Sequence, residues 1–295
     1  MQPRDNMAGN QSRFSDRDYR RISDLIRLEC GIAFPQAKRT MVETRLQRRA
    51  KALGLPSLAA YCAYMETPEG KGRESPYLID AVTTHKTDFF REPQHFDYLN
   101  SIVLPDLARS CGAGFRRPLE MWSSACSTGE EPYTLAMVLA EFAASMAPRK
   151  YSFRLQATDV SAGVIETARC GVYTEAQAEP IPQMLRRKYL LRSRDRTNRQ
   201  VRIVPELRNS VEFRRLNLMD AQYGFEVLFD VVFCRNVMIY FDRSTQKQIL
   251  EKICASIRLG GYLVMGHSES LNGFVLPLRL VAPTLYRRVS DASSV

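Results

Sequence analysis

The residues with the most specific chemistry are a run of small side chains that ends in two carboxylates: Ser123-Ser124-Ala125-Cys126-Ser127-Thr128-Gly129, then Glu130-Glu131-Pro132. Small side chains let a backbone approach a nucleotide closely. The dinucleotide signature Gly-x-Gly-x-x-Gly is absent, which argues against a bound pyrophosphate. Glu130 and Glu131 open a predicted helix, and carboxylates at a helix N-terminus repel phosphate but attract an ammonium or sulfonium. Asp159 ends the next predicted strand, where a carboxylate accepts hydrogen bonds from ribose hydroxyls. An adenosine ligand without phosphates and with positive charge fits these features, and S-adenosylmethionine is such a ligand. The alternative is that Glu130 and Glu131 only complement the helix dipole.

Other reactive side chains narrow the chemistry. The seven cysteines (Cys30, Cys62, Cys111, Cys126, Cys170, Cys234 and Cys254) are scattered, odd in number and show no Cys-x-x-Cys pair. Neither a disulfide framework nor a zinc site is expected from such spacing. The three histidines, His85, His95 and His267, are dispersed, so no metal is expected. No apolar run approaches the ~18 residues of a membrane-spanning helix, and the stretch Met1 to Asp16 lacks the apolar core of a signal peptide. A cytoplasmic protein is expected. The net charge of +10 asks for an anionic partner, and charge alone does not choose between nucleic acid, an acidic protein and a membrane face.

The elements that must position these residues fall into two regions. The first ~80 residues read as helices. Ser15 and Asp18 form a capping box, and Tyr19, Ile22, Leu25, Ile26 and Cys30 follow at helical spacing before Gly31. A second helix is predicted from about Lys38 to Leu53, with Arg45, Arg48 and Arg49 on its outer face. A third is predicted over Pro56 to Tyr64, and the Gly-rich, charged Pro68 to Pro76 reads as a loop. From Leu119 strands and helices alternate: strands at Leu119–Cys126, Phe153–Thr158, Val211–Leu216, Phe229–Cys234 and Tyr262–Met265, with helices at Glu131–Phe142, Ala162–Arg169 and Arg243–Ile257. Leu285–Val289 is a final, antiparallel strand. This alternation predicts a doubly wound α/β sheet. Val172 to Asn209 interrupts it and carries Arg186, Arg187, Lys188, Arg192, Arg194, Arg196, Arg199 and Arg202. Leu190-Leu191 and Val201–Val204 can pair around the turn Ser193–Asn198, so an inserted small β-subdomain is expected at 172–209.

Four long strings carry a resemblance. They are Thr87-Asp88-Phe89-Phe90-Arg91-Glu92, Trp122 through Tyr133, Phe233-Cys234-Arg235-Asn236-Val237-Met238-Ile239-Tyr240-Phe241-Asp242, and Gly266-His267-Ser268-Glu269. In this order, and over Phe14 to Tyr286, the sequence resembles the chemotaxis receptor glutamate methyltransferases, the CheR family. The resemblance implies a Rossmann-like class I methyltransferase domain at 86–295 and a small all-helical N-terminal domain at 1–85. It implies a protein-glutamate O-methyltransferase that uses S-adenosylmethionine, releases S-adenosylhomocysteine and forms γ-methyl esters on the cytoplasmic methylation helices of chemoreceptors. A monomer without membrane insertion and without nucleic acid as partner is expected.

The resemblance also implies roles at matching positions. Thr87 and Arg91 would reach the cofactor and the methyl-transfer site, and Tyr240 would sit by the transferring methyl. Glu130 or Glu131 would bind the methionine ammonium, Asp159 the ribose, and Asn217-Leu218 would flank the adenine. Arg235 and Asn236 would line the cofactor pocket. His85 stands where the family carries Asn, and an imidazole keeps a hydrogen-bond donor there. Arg91 suits a substrate carboxylate, because guanidinium binds carboxylates in a fixed geometry; its bland alternative is an ion pair with Glu92 or Asp88. The bland alternative for Tyr240 is a core aromatic at a strand end. Arg45, Arg48 and Arg49 would dock the acidic receptor helices. In members that tether to a receptor's C-terminal pentapeptide the inserted turn is glycine-rich. Here Ser193–Arg199 has no glycine, which argues against high-affinity tethering. The rival reading is a nucleic-acid methyltransferase, suggested by the charge, but neither an Asn/Asp-Pro-Pro-aromatic string nor a Pro-Cys nucleophile is present.

Overall fold

The computed structural model describes residues 14–195 and 197–290, so the polar stretch before Phe14 and Arg196 of the basic insertion lie outside the described residues. The chain divides between Thr84 and His85 into two compact units.

Among its described residues the first unit has four α-helices, α1 (Asp16–Cys30), α2 (Arg39–Ala52), α3 (Leu58–Glu66) and α4 (Pro68–Val82), with a 3-10 turn (Gln36–Lys38) leading into α2. Ser15 and Asp18 cap α1 reciprocally, and Gly31 ends it in the left-handed conformation. Tyr19, Ile22 and Ile26 of α1, Val42 and Leu46 of α2, Tyr61 and Met65 of α3, and Leu78 and Ile79 of α4 form the buried interior. The predicted loop at Pro68–Pro76 is instead the first half of α4. Thr67 accepts from the Gly70 amide, and Pro68 takes the first turn, where its missing N–H costs nothing. Gly70 is there for packing, since a Cβ at this position would lie 1.9 Å from the Tyr64 carbonyl oxygen.

The second unit opens with α5 (Gln94–Tyr98), a π-helical turn (Leu99–Val103) and α6 (Leu104–Ser110), none of which the sequence reading anticipates. The sheet follows: β1 (Leu119–Ser123), α7 (Glu130–Ser145), β2 (Phe153–Asp159), α8 (Ala162–Cys170), and, after the insertion, β6 (Val211–Arg215), β7 (Phe229–Cys234), α11 (Arg243–Ser256), β8 (Ile257–Met265), β9 (Leu278–Ala282) and β10 (Leu285–Arg288). The strand order is β6-β2-β1-β7-β8-β10-β9. From β6 to β8 all pairings are parallel, and β10 runs antiparallel to both β8 and β9. The doubly wound sheet is therefore as expected, with β9 as an additional strand.

One boundary moves. Ile257, expected on the inner face of the preceding helix, is the first residue of β8 and pairs with Phe229. Gly260 and Gly261 thus lie inside a strand, at a register shift, not after a helix. A Cβ on Gly261 would come within 2.8 Å of the Asp230 carbonyl oxygen.

The insertion contains β3 (Val172–Thr174), α9 (Gln183–Tyr189), β4 (Leu190–Arg192) and β5 (Gln200–Ile203), with the short α10 (Pro205–Arg208) leading back to the sheet. Its strands form a separate antiparallel sheet of order β3-β5-β4. The turn between β4 and β5 is closed by Asp195, which accepts from the Thr197 amide and hydroxyl at 2.9 and 2.7 Å. An Asx-type turn of this kind does what glycine does elsewhere.

Candidate active site

Strand order reverses at β1: β2 and β6 lie to one side, β7 and β8 to the other. In an open α/β sheet the loops that leave the carboxyl ends of the two strands at such a switch point part and leave a crevice. Here those loops are 124–129 after β1, which leads into Glu130 and Glu131 at the start of α7, and 235–240 after β7, which carries Arg235, Asn236 and Tyr240. The described non-glycine residues with positive φ are Phe90, Glu92, Ser127, Asn236 and Thr284. Side chains in this backbone region cost about 1–3 kcal/mol each and persist where the surroundings over-determine them. Four of the five belong to one hydrogen-bonded cluster or to the crevice loops, as follows.

The first loop is held from both sides. The Ser127 amide donates to Asp159 Oδ2 at 2.9 Å, the Ser161 amide donates to Asp159 Oδ1 at 3.0 Å, and the Ser127 hydroxyl donates to the His85 carbonyl at 3.0 Å. A carboxylate offers about four acceptor sites, so the Ser127 and Ser161 amides do not exhaust Asp159. Burial raises the Asp159 pKa, and the two amides oppose that rise. Gly129, at φ +101, needs its missing Cβ because Ala168 and the Tyr173 hydroxyl would lie within 3 Å of it.

The two adjacent glutamates have different surroundings. Glu131 accepts from the Ser123 hydroxyl at 2.8 Å and from Arg235 at 3.1 Å. Glu130 is 2% exposed and accepts from the Thr128 hydroxyl at 2.7 Å, with no cationic partner among the described residues. Burial raises the pKa of both. A buried carboxylate without a counter-charge is costly unless a ligand supplies one.

Arg235 is the counter-charge of a wider network. Its buried guanidinium also reaches Glu92 Oε2 at 3.1 Å and the Arg91 carbonyl. Glu92 further accepts from the Asn236 side chain at 3.3 Å and from the His267 amide at 3.2 Å. Burial works against its charge, but Arg235 and these donors bring its pKa below the usual carboxylate value. His95 Nδ1 lies 3.4 Å from Glu92 Oε2, and His95 Nε2 lies 2.7 Å from the Thr284 hydroxyl. Burial and Arg235 push the His95 imidazole down to about 4, so it is neutral. Two of the three histidines, far apart in sequence, therefore meet: ligand-capable atoms of Glu92, His95 and His267 lie within 4.8 Å of one another. The carboxylate they share is already the partner of Arg235, which makes this a hydrogen-bonded ion-pair hub.

Arg91 forms no ion pair with Glu92 or Asp88 among the described residues; its side chain donates to the Lys86 carbonyl at 3.1 Å. Thr87 and His85 are half-buried in the same segment. Tyr240, half-buried, ends the 3-10 turn Met238–Tyr240 that follows β7. Asn217 folds back on itself after β6, accepting the Met219 amide at 3.0 Å, and Leu218 is buried with its carbonyl accepting from Lys252 at 2.7 Å.

The chain matches the CheR methyltransferase SAM-binding domain over residues 85–285 and the CheR methyltransferase all-alpha domain over residues 17–83. It is 37% identical over 279 residues to chemotaxis protein methyltransferase 2 of Pseudomonas aeruginosa, covering 94% of this chain and 95% of that one. To the chemotaxis protein methyltransferase of Salmonella typhimurium it is 39% identical over 278 residues, covering 94% and 92%. The chain belongs to the CheR methyltransferase family. Its cofactor is S-adenosylmethionine. The residues fit that group: Glu130 lacks the cation that an amino-acid ammonium supplies, and Asp159 keeps acceptor capacity beside it.

Two residues of this methyltransferase that the sequence reading gave no role stand out. Glu92 was considered only as a partner for Arg91, yet it organises Arg235, Asn236 and His267. Glu269 is 5% exposed and accepts the amides of Asn236, Val237, Met238 and Gly266. The available signal was a carboxylate just past the carboxyl end of a strand next to the switch point. In the all-alpha unit, the three arginines of α2 diverge. Arg45 donates to the Val82 and Thr83 carbonyls at 3.0 and 2.8 Å and so caps α4. Arg49 grips buried Glu74 with bonds of 2.7 and 2.9 Å and lies over the Tyr77 ring. Arg48 is exposed.

Proposed function

We propose that the protein methylates glutamate side-chain carboxylates on the cytoplasmic methylation helices of chemoreceptors, yielding γ-methyl esters and S-adenosylhomocysteine, and that it acts in the cytoplasm as a monomer. S-adenosylmethionine supplies an electrophilic methyl group on a sulfonium. A glutamate carboxylate, with a reference pKa of about 4.3, is already ionised at neutral pH and needs no general base. The chain's task is alignment and exclusion of water, worth up to roughly 7–11 kcal/mol in favourable cases. Glu130 binds the cofactor ammonium, Asp159 the ribose, and Asn217 with Leu218 flanks the adenine. Glu131 is matched by Arg235 and shapes the pocket together with Asn236, while Thr87 and His85 close it from the linker side. Tyr240 lies by the methyl group.

The observation that carries the carboxylate reading is the Arg91 guanidinium, which donates to the Lys86 carbonyl and pairs with no carboxylate among the described residues. It holds the incoming carboxylate by its fixed donor geometry. Incubation with labelled cofactor and candidate receptors tests the reading. Base-labile label on the receptor is the expected result, and label on RNA or DNA would transfer the assignment to nucleic acid. Docking falls chiefly to Arg48, because Arg45 and Arg49 are engaged within their own unit. The insertion contacts the receptor without high-affinity capture of a tail pentapeptide.

A further inference from the structure

We propose that Glu269 is a positioning residue for methyl transfer: its carboxylate fixes the backbone of the Asn236–Met238 turn and thereby presents Tyr240. This rests on the reading of Tyr240 given above. Oε1 accepts the amides of Val237 and Met238, and Oε2 those of Asn236 and Gly266, all at 2.8 Å. Three successive amides converging on one anion make a backbone nest, and here the anion is the protein's own. The nest needs a left-handed residue, and Asn236, at φ +57, provides it. The turn continues into Tyr240, whose amide donates to the Val237 carbonyl at 3.2 Å.

The opposite wall is equally tight. A Cβ on Gly266 would lie 2.6 Å from Asn236 Nδ2 and 2.8 Å from Glu269 Oε2. The segment 266–269 therefore clamps the segment 236–238 with no slack. A carboxylate offers acceptors at both oxygens, whereas an amide at this position turns one end into a donor facing two N–H donors. The Asn236–Met238 turn must then move, and a displacement of about 1 Å at a reacting centre costs on the order of 100-fold in rate.

The test is Glu269→Gln in the full chain, read by thermal melting, calorimetric cofactor affinity and steady-state receptor methylation, with Tyr240→Phe and the double variant alongside. The expected result is kcat lower by about 100-fold, a much smaller loss of cofactor affinity, felt through Asn236 of the pocket, and a double variant much less impaired than the product of the single effects. A lowered melting temperature with unchanged kcat below the melt overturns the proposal and leaves a plain stabilising residue. Normal turnover by Tyr240→Phe overturns the Tyr240 reading itself, and with it the route through this turn. A slow Tyr240→Phe beside a normal Glu269→Gln removes Glu269 alone. Should Glu269→Gln not fold, Gly266→Ala strains the same clamp and should lower kcat at least tenfold, again by far more than it weakens cofactor binding; unchanged kcat there is equally fatal.

Discussion

Glu130 and Glu131 are neighbours of identical type, yet only Glu131 has a guanidinium beside it. The difference has a thermodynamic signature. Burial raises the Glu130 pKa in the cofactor-free protein, so between the ordinary carboxylate value and that raised value the folded state holds a proton that the unfolded chain releases. Stability contributed through this group declines as pH rises across that window. An ammonium ligand requires the ionised form, so cofactor affinity should rise with pH over the same window, and binding should release protons. Calorimetry in buffers of different ionisation enthalpy checks this, and Glu130→Gln should abolish the proton release and weaken binding by about tenfold or more, a hydrogen-bonded charge pair being worth about 1.5–3 kcal/mol. Arg91→Ala should lower turnover far more than it lowers the melting temperature, since its side chain is held only by a hydrogen bond to the Lys86 carbonyl among the described residues. For the proposed ammonium-binding role, the sequence offered only a choice between two glutamates. The choice itself depends on Arg235, which lies 104 positions along the chain from Glu131 and comes near only through sheet topology.

At the scale of elements, α2 shows how a charged helix face can be mostly internal scaffolding. Arg49→Ala leaves Glu74, 2% exposed, without its partner, and breaking such a pair costs about 3–5 kcal/mol. Arg45→Ala uncaps α4 and should cost about 1–2 kcal/mol. Arg48→Ala should leave the melting curve where it is, since exposed substitutions away from such contacts usually stay within about 0.5 kcal/mol. Chemical denaturation of the three variants checks the ranking. Capped and periodic elements were readable: α1 from its capping box, β7 to the residue. The start of α4 was not, because Gly70 and Pro76 look like breakers until the close contact with Tyr64 explains the first. Nor was the length of β8, where glycines at a register shift imitate a helix stop.

Over the whole molecule, the alternation of strands and helices specified the parallel part of the sheet, while the antiparallel edge β9 and the segment of α5 and α6 escaped notice. The burial of α5 and α6 is set by partners distant in sequence, with Phe96 stacked on Phe233 and Asp106 accepting from Tyr262, while β9 is a mostly exposed edge with no period to betray it. The net charge of +10 gives a prediction at the same scale. Encounter with an acidic receptor surface should slow as salt is raised. Arg48→Glu should weaken that salt dependence in methylation assays while leaving cofactor affinity unchanged; an unaltered salt profile removes Arg48 from docking.

The insertion hydrogen-bonds its strands in a sheet of its own, of order β3-β5-β4, and closes its outer turn through Asp195. The register of the catalytic sheet is thus indifferent to what that turn contains. On the proposed contact between the insertion and the receptor, receptor choice and catalysis become separable in heredity: the turn can diverge, lengthen or be grafted between relatives while the sheet that carries the chemistry stays unaltered.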